Sequence, residues 1–355
     1  MSAVRTIRLA TVRVSDSAIM HVSDLLRAGV VGQSAVIEDF ERAFARWCDV
    51  AEAVAVSSGT MADMIALAVL KHQYPGKTEV VMPALTFAAQ LNAVLHNGLT
   101  PVFVDHGADD RPLITTRTLC RFPVHVLGRP TVWHDVPDVP VIEDACEALG
   151  SRFGQRPCGL MGSAMGTFSF FPSHTMTTGE GGMIVTYSKE LARLARRLRN
   201  HGKMAGADQV FHFDVVGFNG KMTSLQAALG LGALPGLQDA ISRRRQHFLA
   251  LGGREAAGEF ICAHGVPFLA KSEAARDTAL SRLQEAGIEC RNLFSCLPTQ
   301  EPAYAFLGYQ LGDFPVAEML GRLGFYVPCH QDLSEADVAY VRAQVAALPS
   351  LVEAA

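Results

Sequence analysis

The sequence predicts an α/β protein in which a mostly parallel β-sheet is sandwiched by helices and followed by a smaller C-terminal α+β domain. Three observations carry this. Strand-like and helix-like segments alternate through the first two-thirds of the 355 residues, the order that builds parallel sheets. Several strand candidates, such as "GGMIVTY" (181–187), are unbroken apolar runs, as strands covered on both faces must be. The composition is 49% hydrophobic and 19% charged, and a chain of this length supplies one large domain plus a smaller one.

The elements follow in order. "SAVIEDFERAFARWCDV" (34–50) has helical apolar spacing, and "AEAVAVSSGTMADMIALAVL" (51–70) reads as strand, Gly turn and helix. "EVVMPALTFAAQLNAVLHNGLTPVFVD" (79–105) repeats that logic and adds a second strand. Apolar runs at "FPVHVLG" (122–128) and "VPVIEDACEALG" (139–150) predict two more strands, the second ending in acids. "GTFSFF" (166–171) and 181–187 are further strands, and "SKELARLARRLRNHG" (188–202) is a basic helix. A long helix within 217–251 leads out of this layer, and helical patterns recur at 271–286 and 334–346. The division falls near residue 235, giving a large domain with an N-terminal arm over 1–235 and a small domain over 236–355.

Charge and cysteine usage exclude several classes. The formal net charge is −4 with no basic block, so neither nucleic acid nor an anionic membrane is an expected partner. No apolar run approaches a membrane span, and "MSAVRTIRLATVRVSD" lacks the apolar core of a signal peptide. A cytoplasmic enzyme is expected. The eight cysteines, at 48, 120, 146, 158, 262, 290, 296 and 329, form no CxxC and no Cys/His cluster. Reduced thiols are expected and no metal.

Ligands of open α/β sheets sit at the carboxyl ends of the strands, and four candidate groups fall there. In "SSGT" (57–60), Gly59 permits close backbone approach while Ser58 and Thr60 add hydroxyls beside free helix amides. That is a phosphate cradle, or simply a capped helix. Asp144 in "EDACE" (143–147) follows a buried strand; there it needs a cationic partner, unless it is a surface acid capping a turn. Phe87 in "MPALTF" (82–87) could cover a flat ring or be ordinary core. In "FSFFPSHTMTTGEGG" (168–182), Ser169 and His174 are five residues apart, and His174 is either a base or a satisfied structural histidine.

Taken jointly, these segments resemble the DegT/DnrJ/StrS sugar aminotransferase family, pyridoxal 5′-phosphate (PLP) enzymes of fold type I. The resemblance runs through "AVAVSSGTMADMIAL" (53–67), "MPALTFAAQLNAVLHNGLTPVFVD" (82–105), "VIEDACEALGSRFGQRPCG" (141–159), "GTFSFFPSHTMTTGEGGMIVT" (166–186), "GFNGKMTSLQAALGLGAL" (217–234) and "FPVAEMLGRLGFYVPCHQDLSEADV" (314–338). It implies that Ser58, Gly59, Thr60 and Ser169 surround the cofactor phosphate, that Phe87 lies over the ring, and that Asp144 pairs with the ring nitrogen. Glu147 stands where the family commonly has Gln beside the phenolic oxygen. Asn219 would reach the phosphate of the neighbouring subunit, which makes a homodimer the expected unit.

One position departs from the pattern. His174 stands where the family's aminotransferases carry the lysine that bonds covalently to the cofactor, and an imidazole cannot form that bond. The family's precedent for histidine here is a branch of 3-dehydratases acting on nucleotide-linked 4-keto-6-deoxy sugars. There PLP or pyridoxamine 5′-phosphate (PMP) is held non-covalently and the histidine moves a proton at the cofactor's 4′ carbon. The resemblance therefore implies a lyase of that kind, with L-glutamate as amino donor, and Asp144 and His174 as catalytic residues. "GFNGKM" has Gly220 and Lys221 where aromatic and Arg are usual, and "RPLITTRTLCRFPVHVLGRPTVWHDVPDVPVIED" is short enough to have lost a helix. Of the six lysines, Lys203 and Lys221 lie in segments that could approach a partner's site. Transamination or lyase chemistry on a non-sugar substrate stays open, as does a catalytically silent cofactor-binding relative.

Overall fold

A computed structural model describes residues 6–133, 136–204, 212–293, 297–348 and 351–352. Two helices, α1 (Asp16–Arg27) and α2 (Ala35–Cys48), precede β1 (Glu52–Val56). Then follow α3 (Gly59–Gln73), β2 (Glu79–Pro83), α4 (Ala88–His96), β3 (Thr100–Val104), β4 (Thr118–Arg121) and β5 (Ile142–Asp144). A two-stranded ribbon, β6 (Arg152–Phe153) and β7 (Arg156–Pro157), leads to β8 (Met165–Ser169), β9 (Gly182–Thr186) and α5 (Lys189–Arg199). Helices α6 (Ser224–Ala233) and α7 (Leu237–Ala250) connect to the C-terminal part. It holds β10 (Glu259–Phe260), β11 (Gly265–Ala270), α8 (Glu273–Glu285), β12 (Arg291–Asn292), α9 (Pro315–Leu323), β13 (Gly324–Pro328), α10 (Glu335–Ala346) and β14 (Leu351–Val352).

The central sheet has the order β3-β2-β4-β5-β8-β9-β1: two ladders joined by the parallel bridges Arg121–Val141 and Val124–Asp144. Strands β3, β2 and β4 pair in parallel, as do β5 and β8, whereas β9 runs antiparallel to both β8 and β1. The sheet is mostly parallel, as its apolar strands predict. Alternate residues of β1 enter opposite clusters: Val54 and Val56 pack with Leu67, Val80 and Leu91, while Ala53 and Ala55 pack with Phe40, Phe44 and Phe168. Both faces are therefore covered, which is why β2, β8 and β9 are buried throughout.

Two expected elements differ. The strand expected over 122–128 lies earlier, at β4, and residues Val126–Gly128 form a 3-10 turn. Pro123 has no N–H for a ladder; the backbone around it instead accepts from the Asp144 N–H through the Pro123 carbonyl and donates from His125 N–H to the Asp144 carbonyl. The long helix expected within 217–251 is two helices, broken by a 3-10 turn at Leu234–Gly236. Pro235 in that turn lacks the N–H a continuous helix would need. The domain division expected at 235 would fall in the same turn. Between β4 and β5 the described residues contain the 3-10 turn Val126–Gly128 and no α-helix, in keeping with the shortness of the segment.

The C-terminal part carries the antiparallel sheet β12-β13-β11-β14. Its apolar cluster includes Phe248, Val266, Phe325 and Val341, and takes in Ile7 from the N-terminal arm. Seven of the cysteines are free thiols, and Cys296 lies outside the described residues. Among the described residues no helix is long and apolar enough to cross a membrane.

Candidate active site

A cavity of about 700 Å³ opens at the carboxyl ends of β1, β5 and β8, where a doubly covered sheet places its ligands. Its other wall comes from the C-terminal part, through His264, Arg291 and Tyr326. Of the sequence-predicted site residues, Ser58, Gly59, Thr60, Phe87, Asp144, Glu147, Ser169 and His174 all line it.

Ser58 is the N-cap of α3, its Oγ accepting from Met61 N–H at 3.1 Å. The amides of Gly59 and Thr60, in the first turn, have no acceptor within the helix, so the cavity is lined by a helix start of the kind that suits an anion. Gly59 is required by close packing. A Cβ there would meet Ser169 Cβ at 2.6 Å and Cys146 Sγ at 2.8 Å. That contact brings Ser169, at the end of β8, directly against the helix start. Phe87 sits at the N-cap of α4, four residues beyond the end of β2, and is 66% exposed. It is a large aromatic at the mouth of a cavity rather than core.

Asp144 ends β5 and is buried. Its Oδ1 accepts from Cys146 N–H at 3.0 Å. Burial first, and the charge of Glu147, raise its carboxyl above the ordinary value, while the Cys146 donors and His125 oppose that rise. Among the described residues no cation is ion-paired with it, so the counter-charge expected from sequence is left for a ligand to supply. Glu147 accepts from Leu127 N–H at 2.6 Å, and burial pushes its carboxyl up to about 7.

His174 lies in the loop after β8. Its backbone is fixed by a hydrogen bond from its N–H to the Phe171 carbonyl, at 3.0 Å, and by Arg244 Nη2, which donates to the His174 carbonyl at 3.2 Å. Its ring lies 5.2 Å from that of His264, and Nδ1 of each imidazole is buried without a hydrogen-bond partner. Burial, then the nearby His264 and Arg244, hold His174 well below the ordinary histidine value. At neutral pH it is an uncharged base.

Asn219 does not line this cavity. It is exposed, and its Oδ1 accepts from Lys221 Nζ at 2.6 Å. Neither Lys203 nor Lys221 reaches the cavity, and no lysine is among its described lining residues. Sequence reasoning missed Asp63, His264, Arg291 and Tyr326. Asp63 left a signal, an acid inside the apolar run of α3; the other three come from a part whose approach to the cavity no local pattern encodes.

Asp63, Asp144 and Cys146 place ligand atoms within 4.8 Å of one another, close enough to hold a metal ion. Burial pushes all three toward their protonated forms, which disfavours ligation. An amide-and-hydroxyl cradle, an exposed aromatic, an unpaired buried carboxyl and a neutral base instead fit a phosphorylated, cationic aromatic ring.

Comparison with known proteins gives a consistent picture. The DegT/DnrJ/EryC1/StrS aminotransferase family matches residues 13–346. A GDP-perosamine synthase from Caulobacter vibrioides is 34% identical over 334 residues, covering 85% of this chain and 87% of its own. A dTDP-4-dehydro-2,6-dideoxy-D-glucose 3-dehydratase from Saccharopolyspora spinosa is 29% identical over 366 residues, covering 86% of this chain and 79% of its own. Among solved structures, a GDP-4-keto-6-deoxymannose-3-dehydratase, a histidine-to-asparagine mutant with bound GDP-perosamine, superimposes with a TM-score of 0.86 at 25% identity, covering 95% of this chain and 99% of its own.

Proposed function

The chain belongs to the DegT/DnrJ/EryC1/StrS aminotransferase family of PLP enzymes, and from that premise we propose that it is a PLP/PMP-dependent lyase of the 3-dehydratase kind. Its substrate class is a nucleotide-linked 4-keto-6-deoxy sugar, and its cofactor is held without a covalent bond. The observation that carries this reading is His174: a neutral imidazole with an unpartnered Nδ1, in a cavity with no lysine among its described lining residues.

When bound, the cofactor would supply an electron-accepting ring attached to the substrate through its 4′ carbon. Gly59 and Thr60 amides, with the Ser58 and Ser169 hydroxyls, would bind its phosphate. Phe87 would cover the ring, and Asp144 would hold a proton on the ring nitrogen. Glu147 would meet the phenolic oxygen. His174, unprotonated, would take a proton from the 4′ carbon and return one later, which is general acid–base work with a pKa below the working pH. The presence of two 3-dehydratases among the relatives and neighbours supports the same chemistry.

Transamination is the second reading, favoured by the GDP-perosamine synthase relative. The reactions separate in one assay: protein, PLP, L-glutamate and a nucleotide-linked 4-keto-6-deoxy sugar. Dehydration gives ammonia and a 3-deoxy keto sugar. An amino sugar with no ammonia would overturn the lyase reading, and turnover confined to non-sugar amines would overturn the substrate class. The exposed Asn219 is available to a second copy of the chain, so the active unit is proposed to be a homodimer. A fully active monomer in solution would contradict that.

A further inference from the structure

Behind the place assigned to the ring nitrogen lies a second buried carboxyl that the mechanism above does not use. Asp63, in the second turn of α3, is 1% exposed, and Asp144 beside it is 7% exposed. Their carboxylate oxygens lie within 4.8 Å of each other and of Cys146 Sγ. Among the described residues neither is in an ion pair. Two buried carboxylates this close, with no cation between them, cannot both be ionised.

The hydrogen bonds decide which one keeps the charge. Asp144 receives the Cys146 N–H at 3.0 Å and has the Cys146 thiol, a further donor, within 4.8 Å. Asp63 receives one donor, the Thr167 hydroxyl, at 2.6 Å on Oδ1. Of the other charged groups nearby, Glu147 adds negative charge beside Asp144, and His125 lies behind it. Glu143, one residue before Asp144, is already tied to His125 and to the Gly159 and Met161 amides.

We propose that Asp63 is a positioning residue for Asp144: the protonated member of a buried carboxyl pair, whose O–H holds Asp144 ionised and turned toward the ring nitrogen. Burial and the charge of Asp144 push Asp63 well above the usual carboxylate range, with the Thr167 hydrogen bond opposing, in the same direction as the geometry. The pair then presents a single negative charge to an arriving cation. The inference rests on the proposed function only for the identity of that cation.

Two measurements test it, neither of which depends on turnover. The first is the infrared carbonyl stretch of protonated carboxyls in the cofactor-free protein, recorded in a Glu147→Gln background so that Glu147 adds no band. The background protein should show a protonated-carboxyl band that Asp63→Asn removes; a spectrum unchanged by Asp63→Asn overturns the proposal. The second is PLP affinity across pH 6 to 8. Asp63→Asn, whose amide can donate in place of the O–H, should stay within about threefold of wild type, whereas Asp63→Leu should bind about tenfold more weakly. A tenfold loss in Asp63→Asn would mean that Asp63 acts as an anion, and wild-type affinity in Asp63→Leu would mean that it positions nothing. If Asp63→Leu does not fold, the infrared result and Asp63→Asn decide. A protein that fails to dehydrate sugars but passes both tests sinks the proposed reaction and leaves this inference standing.

Discussion

Glu147 accepts a 2.6 Å hydrogen bond from the backbone N–H of Leu127, a residue held in the left-handed region at φ 52°. A branched side chain there costs about 1–2 kcal/mol, so the carboxyl stabilises a strained turn at the cavity edge. Burial raises Glu147 from 4.5 to about 7. Between those pH values the native state holds more protons than the unfolded chain, so stability falls as pH rises through the window, by on the order of 3 kcal/mol in all. Glu147→Gln keeps an acceptor for Leu127 and removes the titration. Urea unfolding of the cofactor-free proteins should show the variant gaining on wild type from pH 4.5 to 7.5. A pH-independent difference would contradict the assignment.

His264 acts on the opposite side of the pH scale. Burial, then Arg244 and Arg291, push it down to about 3 from 6.5. For a base depressed in the folded state, stability is complete above the unfolded value and is lost as pH falls toward the folded one. His264→Gln should therefore flatten the acid limb between pH 6 and 4 by about one proton in the slope of unfolding free energy against pH. An unchanged slope would show that His264 is solvated or paired in the protein.

Phe87 separates binding from folding. Its side chain is 66% exposed at the N-cap of α4, so Phe87→Ala should leave the thermal midpoint within about a degree or two, as surface substitutions do. Losing a stacked ring face should weaken PLP binding about tenfold. Cofactor titration and a melting curve on the same sample check both halves. A large stability loss with unchanged affinity would place Phe87 in the core instead.

Much of this arrangement was legible because chain order and sheet topology agree. "SSGT", Asp144 and Ser169 each end an apolar strand; β5 runs parallel to β8, and β1 and β8 both run antiparallel to the β9 between them, so all three ends meet at one edge. What misled was proline: Pro123 moved a strand and Pro235 split a helix, each by removing one N–H from an otherwise regular pattern. Asp63 went unread because a single acid in an apolar helix has no meaning until β5 and β8 are placed beside it. His264 and Tyr326 flank and line β11 and β13 in the C-terminal part, and only its docking against the large sheet carries them into the cavity. Local periodicity holds no information about that docking.

With no lysine among the cavity's described lining residues, cofactor would be retained by phosphate contacts, ring cover and Asp144 alone, so dialysis should remove it readily. The neutral imidazole is the form that accepts a proton; because burial holds His174 well below the ordinary histidine value, turnover should show no loss as pH falls from 8 to 6.5 on account of this residue. His174→Asn keeps a polar side chain but no base. PLP affinity should stay within a few-fold of wild type, while turnover drops roughly hundred- to ten-thousand-fold, the range for loss of a general base. His174→Lys places an amine where the imidazole stood, and should fix cofactor to residue 174 and shift the products toward amino sugars. Borohydride reduction followed by peptide mass analysis reads the result directly. Wild type should release its cofactor unbound and His174→Lys should carry it on the substituted residue, whereas cofactor found on any lysine of the wild-type protein would sink the untethered mechanism.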